Sequence, residues 1–211
     1  MMASESLYDR VDAVVDVLRK GGVAAIPTDT FYGLAACVLD TRAVDTVFRL
    51  KGRSEGEPLP VLMADTTDLA DLALEVPGLA WDLANAFWPG ALTIVVKKAS
   101  KVPDAVSGGS DTVGLRVPDH WVPRAVARRL KAPITGTSAN RSGRPGLTEA
   151  AAVRAEFGNE VGMVVDAGRT PGGPASTVVD LAGETPRILR PGAVSQLDLE
   201  RVCGVSVPQS S

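Results

Sequence analysis

The apolar residues of the chain recur at two alternating periods. Leu7, Val11, Val14, Val15 and Leu18 fall at helical spacing and Gly21-Gly22 closes the run, which predicts a helix over 6–20. Val23-Ala24-Ala25-Ile26 is then an unbroken apolar run, a buried strand that Pro27 ends because it has no N–H to give to a ladder. Asp40 is placed to cap a second helix reaching Leu50, whose apolar positions are Ala43, Val44, Val47, Phe48 and Leu50. Further strands are predicted over 58–63, 91–96, 112–117, 132–135, 161–165, 177–181 and 187–189. Helices are predicted over 66–86 (one or two, broken at Pro77-Gly78), 118–130, 149–157 with Thr148 as its cap, and about 195–202. Residues 99–111 and 167–174, with their prolines and glycines, read as loops. Strands interleaved with helices, without a repeat or a clear linker, give one α/β domain over 1–211. It is built on a twisted mixed β-sheet flanked by helices, with a tail over 205–211 that is expected to fray.

Composition narrows the function. Hydrophobic residues make up 45% of the 211, enough for a core of its own, yet no apolar run reaches membrane-spanning length. Residues 1–10 are polar and acidic and show no basic-then-apolar leader. Cys37 and Cys203 form no C-x-x-C pair, so a reduced, cytoplasmic protein is the simplest expectation. A single histidine, His120, excludes a His-rich metal site, weakens any Ser-His-Asp triad and is read as structural at the start of its helix. With a net charge of −3, nucleic acid would need a local patch. Arg128-Arg129-Lys131 and Lys97-Lys98-Lys101 are the candidates, and a solvated face is the plainer reading of both.

Candidate chemistry sits where strands end. Pro27-Thr28-Asp29-Thr30-Phe31-Tyr32-Gly33-Leu34 sets two hydroxyls, a carboxylate and a phenol in one short stretch, which suits a ligand site or a capped turn equally. Lys51-x-Arg53 is either a pair of cations on a helix C-terminus or a phosphate clamp. Arg116, between apolar strand neighbours, either faces solvent or holds an anion, whether a carboxylate of the chain or a ligand. Ser138-Ala139-Asn140, Ser176-Thr177 and Arg190-Pro191-Gly192 offer hydroxyls, an amide and a guanidinium, each with an ordinary turn or surface reading beside it. The chain has no G-x-x-x-x-G-K-[ST], no strand-linked G-x-G-x-x-G and no Cys/His cluster for zinc. A nucleotide would therefore be held by Lys, Arg, hydroxyls and Mg²⁺, and no protein metal-ligand set is predicted.

Taken together and in order, six blocks form a recognisable pattern. They are Pro27-Thr28-Asp29-Thr30-x-Tyr32-Gly33-Leu34, Lys51-x-Arg53, Phe87-Trp88-Pro89-Gly90-x-Leu92-Thr93 and Val113-Gly114-Leu115-Arg116-Val117-Pro118-x-His120. Thr137-Ser138-Ala139-Asn140-x-Ser142-Gly143 follows, then Ser176-Thr177-Val178-Val179-Asp180 with Leu189-Arg190-Pro191-Gly192. The chain resembles the YrdC/TsaC family of threonylcarbamoyl-AMP synthases over about residues 10–195. The resemblance implies a twisted mixed α/β sheet around a large, positively charged concave cavity. It also implies a reaction: L-threonine, bicarbonate and ATP (with Mg²⁺) give threonylcarbamoyl-AMP and pyrophosphate. A separate transferase then carries the threonylcarbamoyl group to adenosine 37 of tRNAs that read codons starting with A.

The same resemblance implies roles for individual residues. Thr30, Arg116, Ala139 (through its backbone) and Ser176 meet threonine. Lys51 and Arg53 face the ATP phosphates as the catalytic cations, and Thr112, Ser138, Asn140, Thr148 and Arg190 contact ATP. Three positions depart from the family pattern: Ser54 where Pro is usual, Glu57 where Lys or Asn is usual, and Leu62 where some relatives carry a threonine-binding His. An RNA-binding module of the same fold without synthase activity, of the YciO type, is the alternative.

Overall fold

The computed structural model describes residues 7–53 and 56–210. In chain order the elements are α1 (Leu7–Arg19), β1 (Ala24–Pro27), β2 (Tyr32–Ala35), α2 (Thr41–Lys51), β3 (Val61–Leu62), α3 (Leu69–Leu72), α4 (Gly78–Phe87) and β4 (Leu92–Lys97). They continue with α5 (Asp104–Ser107), β5 (Thr112–Arg116), α6 (Trp121–Leu130), β6 (Ile134–Thr135), β7 (Thr137–Ser138), α7 (Ala150–Phe157), β8 (Met163–Val164), β9 (Thr177–Asp180), β10 (Arg187–Arg190) and α8 (Gln196–Cys203).

The expected single sheet is two. The smaller has the order β7-β2-β1-β8 and the larger β10-β9-β4-β5-β3-β6, and both mix parallel and antiparallel neighbours. They are joined at β6 and β7, which are separated by Gly136 alone and belong to different sheets. A Cβ on Gly136 would meet the Leu62 side chain at 2.7 Å, so only glycine lets the chain pass there. The join is reinforced by Thr135, whose N–H donates to Ala36 O (2.9 Å) and whose hydroxyl donates to Leu34 O (2.8 Å).

Period-two alternation assigns the faces of the larger sheet. Val61, Leu92, Ile94, Val96, Val113, Leu115, Val179 and Ile188 join the main core with α2, α4 and α8 residues such as Val44, Leu83 and Leu199. The opposite face carries Leu62, Thr93, Val95, Thr112, Gly114, Arg116 and Val178 and lines a cavity. A second core lies under α1 and α6, where Val11, Val14, Val15 and Leu18 meet Val122, Val126 and Ile26.

Local signals place several caps. Asp40 accepts from the N–H groups of Arg42 and Ala43, and Gly52 closes α2 in the left-handed region at φ 60°. His120 Nδ1 accepts from Val122 N–H (3.2 Å), so the sole histidine caps α6 and is structural. Thr148 does not cap α7; Glu149 occupies that position, and the Thr148 carbonyl instead accepts from Thr170 N–H (2.9 Å). Residues 66–86 hold a 3-10 turn, Thr66–Asp68, before α3 and α4, and the expected loop 99–111 contains α5. The tail does not hang free over its described residues. Val207 is fully buried, and Ser210 N–H donates to Ile188 O (2.9 Å) beside β10.

Candidate active site

A cavity of about 730 Å³ lies between the two sheets, within the size range of small-molecule sites. One wall is the polar face of the larger sheet. The other comes from the turn between β1 and β2 and the loop after β7: Thr28, Thr30, Phe31, Ser138, Asn140, Ser142, Gly143 and Gly146. Phe31 reaches that wall because Gly146 has no side chain; a Cβ there would touch its ring at 2.6 Å. Of the residues singled out from the sequence, Thr30, Lys51, Arg53, Thr112, Arg116, Ser138, Asn140, Ser176 and Arg190 all line this cavity. Ala139 and Thr148 do not: Ala139 is fully buried in the main core, its N–H donated to Tyr32 O (2.6 Å), and Thr148 pins the loop before β9.

Arg116 is 6% exposed. Its Nε donates to Gly90 O (2.8 Å) and its Nη2 to Asp29 Oδ1 (2.6 Å), which fixes the guanidinium at the cavity floor. Asp29 is thus the carboxylate partner that an Arg in an apolar strand requires. The sequence motif around Asp29 and the turn Trp88-Pro89-Gly90 meet at this one side chain.

Lys51, at the C-terminus of α2, is 5% exposed. Its Nζ donates to Ser138 O (2.7 Å) and Asn140 O (2.8 Å). Burial, and then the nearby charge of Arg53, lowers its pKa from 10.5 to about 8. The ammonium therefore staples the loop after β7 rather than projecting into open space. Ser142 N–H returns a bond to Lys51 O (2.8 Å), and Asn140 is held further by Ser138 and by the carbonyls of Arg141 and Arg144.

Arg53 lines the mouth and is paired with Glu57, the one carboxylate lining the cavity among the described residues. Ser54 lies outside the described residues. Arg190 ends β10, where its Nη2 donates to Ser176 O (2.8 Å) and Ser176 Oγ (3.1 Å). Desolvation, then the fields of Arg116 and Arg53, lowers the Arg190 pKa, so these three guanidiniums share one region. The turn Thr28–Phe31 is internally bonded. Thr28 Oγ1 donates to Phe31 O (2.7 Å), and Thr30 O accepts from Gly172 N–H (2.7 Å). Tyr32 shapes the wall from behind, its hydroxyl donating to Gly168 O (2.8 Å). Leu62 lines the cavity as an apolar surface.

Sequence reading gave no role to the buried hydroxyl of Thr93 (1% exposed), although it counted that of Thr28 (6% exposed) in the stretch before β2. Both stand inside quoted blocks, and a polar residue alternating with apolar ones on a strand was the available signal for Thr93. No group of three or more His, Cys, Asp and Glu side chains that could hold a metal ion occurs among the described residues. Four cations and several hydroxyls against one carboxylate make the cavity a receptor for anionic, oxygen-rich ligands.

Similarity to known proteins points the same way. The family model Sua5_yciO_yrdC, described as "Telomere recombination", matches residues 16–192. A threonylcarbamoyl-AMP synthase of Pyrococcus abyssi is 41% identical over 187 residues, and one of Bacillus subtilis is 39% identical over 189. Each match covers 89% of this chain and 55% of the relative, so the chain spans about half the length of these relatives. The crystal structure of P. abyssi Sua5 complexed with L-threonine superposes with a TM-score of 0.92 at 37% identity, covering 97% of this chain and 60% of that one.

Proposed function

The chain belongs to the Sua5/YciO/YrdC family, and from that premise we propose that it is a threonylcarbamoyl-AMP synthase. Threonine, bicarbonate and ATP give threonylcarbamoyl-AMP, pyrophosphate and water, a nucleotidyl transfer that feeds tRNA modification. The observation that carries this reading is the convergence of Lys51, Arg53, Arg116 and Arg190 with Thr30, Thr112, Ser138 and Ser176 on one cavity.

The threonine amine adds to CO₂ or bicarbonate to form a carbamate, whose oxygen attacks the α-phosphorus of ATP and expels pyrophosphate. Little side-chain acid–base chemistry is required, and alignment with charge stabilisation supplies the rate. Arg116, oriented by Asp29 and Gly90 O, receives the threonine carboxylate, with Thr30 and Ser176 beside it. Arg53 and Arg190 meet the phosphates, with Thr112, Ser138 and Asn140 around the nucleotide. Lys51 contributes its field and holds Ser138 and Asn140 in place. Mg²⁺ enters as part of the substrate MgATP, because Glu57 alone does not make a cage and the triphosphate supplies the remaining oxygens.

The product is a reactive mixed anhydride, so a threonylcarbamoyl transferase acting on tRNA is its consumer, and a cytoplasmic setting fits this reading. No helix among the described residues is long and apolar enough to cross a membrane. The alternative, an RNA-binding module without synthase activity, has four of the six cations of its candidate patches engaged by acidic neighbours. Arg128 pairs with Asp65 (3.8 Å), Arg129 with Asp12 (3.1 Å), Lys98 with Asp104 (2.8 Å) and Lys101 with Asp71 (3.7 Å). Pyrophosphate release by the purified chain is the test. It is expected only when threonine, bicarbonate and MgATP are all present. Release that ignores threonine or bicarbonate contradicts the proposal, and salt-sensitive tRNA binding without turnover favours the alternative.

A further inference from the structure

Resting on the synthase reading, we infer that Thr93 is a positioning residue. Its buried hydroxyl sets the direction of the Ser176 hydroxyl, so that Ser176 donates to an acceptor oxygen of the amino-acid substrate.

Thr93 stands on β4, on the face that lines the cavity, between β5 and β9. Its methyl is directed at Gly114, where a Cβ would come within 3.1 Å of it. That packing fixes the rotamer and turns Oγ1 toward Ser176 Oγ, 3.0 Å away. A hydroxyl has one proton and two lone pairs. Ser176 Oγ already accepts from Arg190 Nη2. Thr93 Oγ1, on a residue 1% exposed, has Ser176 as its only hydrogen-bond partner among the described residues. A buried hydroxyl proton needs an acceptor, and for Thr93 that acceptor is Ser176 Oγ. Both lone pairs of Ser176 are then used, and its own proton is left for the cavity. The hydrogen-bond order Thr93 to Ser176 from one side and Arg190 to Ser176 from the other makes Ser176 a donor rather than an acceptor toward substrate. Arg190, on the same oxygen, links that donor to the nucleotide side.

Thr93→Val keeps the shape and removes the proton. The expected result is about a tenfold rise in KM for threonine, the effect of about one hydrogen bond, with KM for ATP changed by less than about twofold. Thr93→Ser restores the hydroxyl and is expected to return KM for threonine to within about threefold of the wild-type value. In the double variant with Ser176→Ala, the Thr93→Val effect is expected to vanish, because the residues act as one unit. Equal losses for both substrates, no rescue by serine, or effects of Thr93→Val and Ser176→Ala that simply add would each overturn the inference. A thermal melt on each variant separates misfolding from mispositioning. Should Thr93→Val not fold, the serine variant alone decides, since a purely space-filling role predicts that the lost methyl harms ATP and threonine use alike. The wild-type chain in the same assay distinguishes this inference from the parent reading: a wild type that makes no threonylcarbamoyl-AMP defeats the parent, whereas an active wild type with an indifferent Thr93→Val defeats only the inference.

Discussion

The two walls of the cavity hold their charges in opposite ways. On the sheet wall, Arg116 is fixed by another side chain, Asp29, and by one carbonyl, so a guanidinium is aimed into the cavity from a rigid strand. On the loop wall, Lys51 spends its ammonium on the carbonyls of Ser138 and Asn140, so the charge organises backbone and other groups face the ligand. A strand provides ladder bonds for its own backbone, whereas the loop after β7 does not, and the buried Lys supplies what the ladder lacks. The proposed function gives one cation to the ligand and the other to the scaffold, a division that neither motif revealed in the sequence.

Breaking the sheet wall gives the largest effect. Arg116→Ala leaves Asp29, whose side chain is 12% exposed, without its partner, and removes the guanidinium that the proposed function assigns to the carboxylate of threonine. A stability loss of about 3–5 kcal/mol is expected from urea unfolding, together with loss of threonine-dependent turnover. Arg116→Ala with Asp29→Asn is expected to recover much of the stability and none of the turnover, which separates the structural role from the binding role.

Breaking the loop wall costs less and reads differently. Lys51→Met leaves Asn140 O without its donor and Ser138 O with only the N–H of Asn140, for a stability loss of about 1–3 kcal/mol. KM for ATP is expected to rise more than KM for threonine, because Ser138 and Asn140 shift. Lys51→Arg is expected not to rescue, since a planar fork does not fit acceptors that surround a point donor. The pH dependence has a definite sign. The folded-state pKa of Lys51, about 8, lies below the unfolded 10.5, so between these values the unfolded chain binds more protons. Stability relative to Lys51→Met is therefore expected to rise with pH through that window, as burial of the charge ceases to oppose folding, and to lose that increment as pH falls through 8.

The smallest expected effect is at the mouth, where Arg53 faces Glu57 and both are partly exposed. Glu57→Gln frees Arg53 for phosphate, and KM for ATP is expected to fall about two- to threefold, with more salt dependence, since exposed pairs are worth under about 1 kcal/mol. A rise instead would assign Glu57 to the metal of MgATP.

The sheet wall was the more legible of the two. Alternation predicts β5 and puts Arg116 among apolar neighbours, where it either faces solvent or holds an anion; β4 and β9 were legible as strands. What the sequence left open was which partner, because Asp29 and Arg116 are brought together by the meeting of two sheets that a single-sheet reading does not anticipate. Thr93 was hidden for another reason: a threonine on a buried strand has high β-propensity and needs no function to explain it. The loop wall was legible only as a motif. Lys51 as a staple, Ala139 turned into the core and Thr148 pinning a distant loop all follow from loop geometry, which local spacing does not encode. The strand over 132–135 was legible, but the β6–Gly136–β7 crossing was not, since β7 is too short to show a period.

On the proposed function, this cavity joins threonine to AMP through a carbamate. The purified chain, incubated with MgATP, threonine and carbon-13 bicarbonate, tests it when the products are weighed by mass spectrometry. A threonylcarbamoyl-AMP that carries the label is expected, formed in proportion to pyrophosphate and absent without threonine. Pyrophosphate with AMP and no labelled adduct under conditions that preserve the anhydride would contradict it.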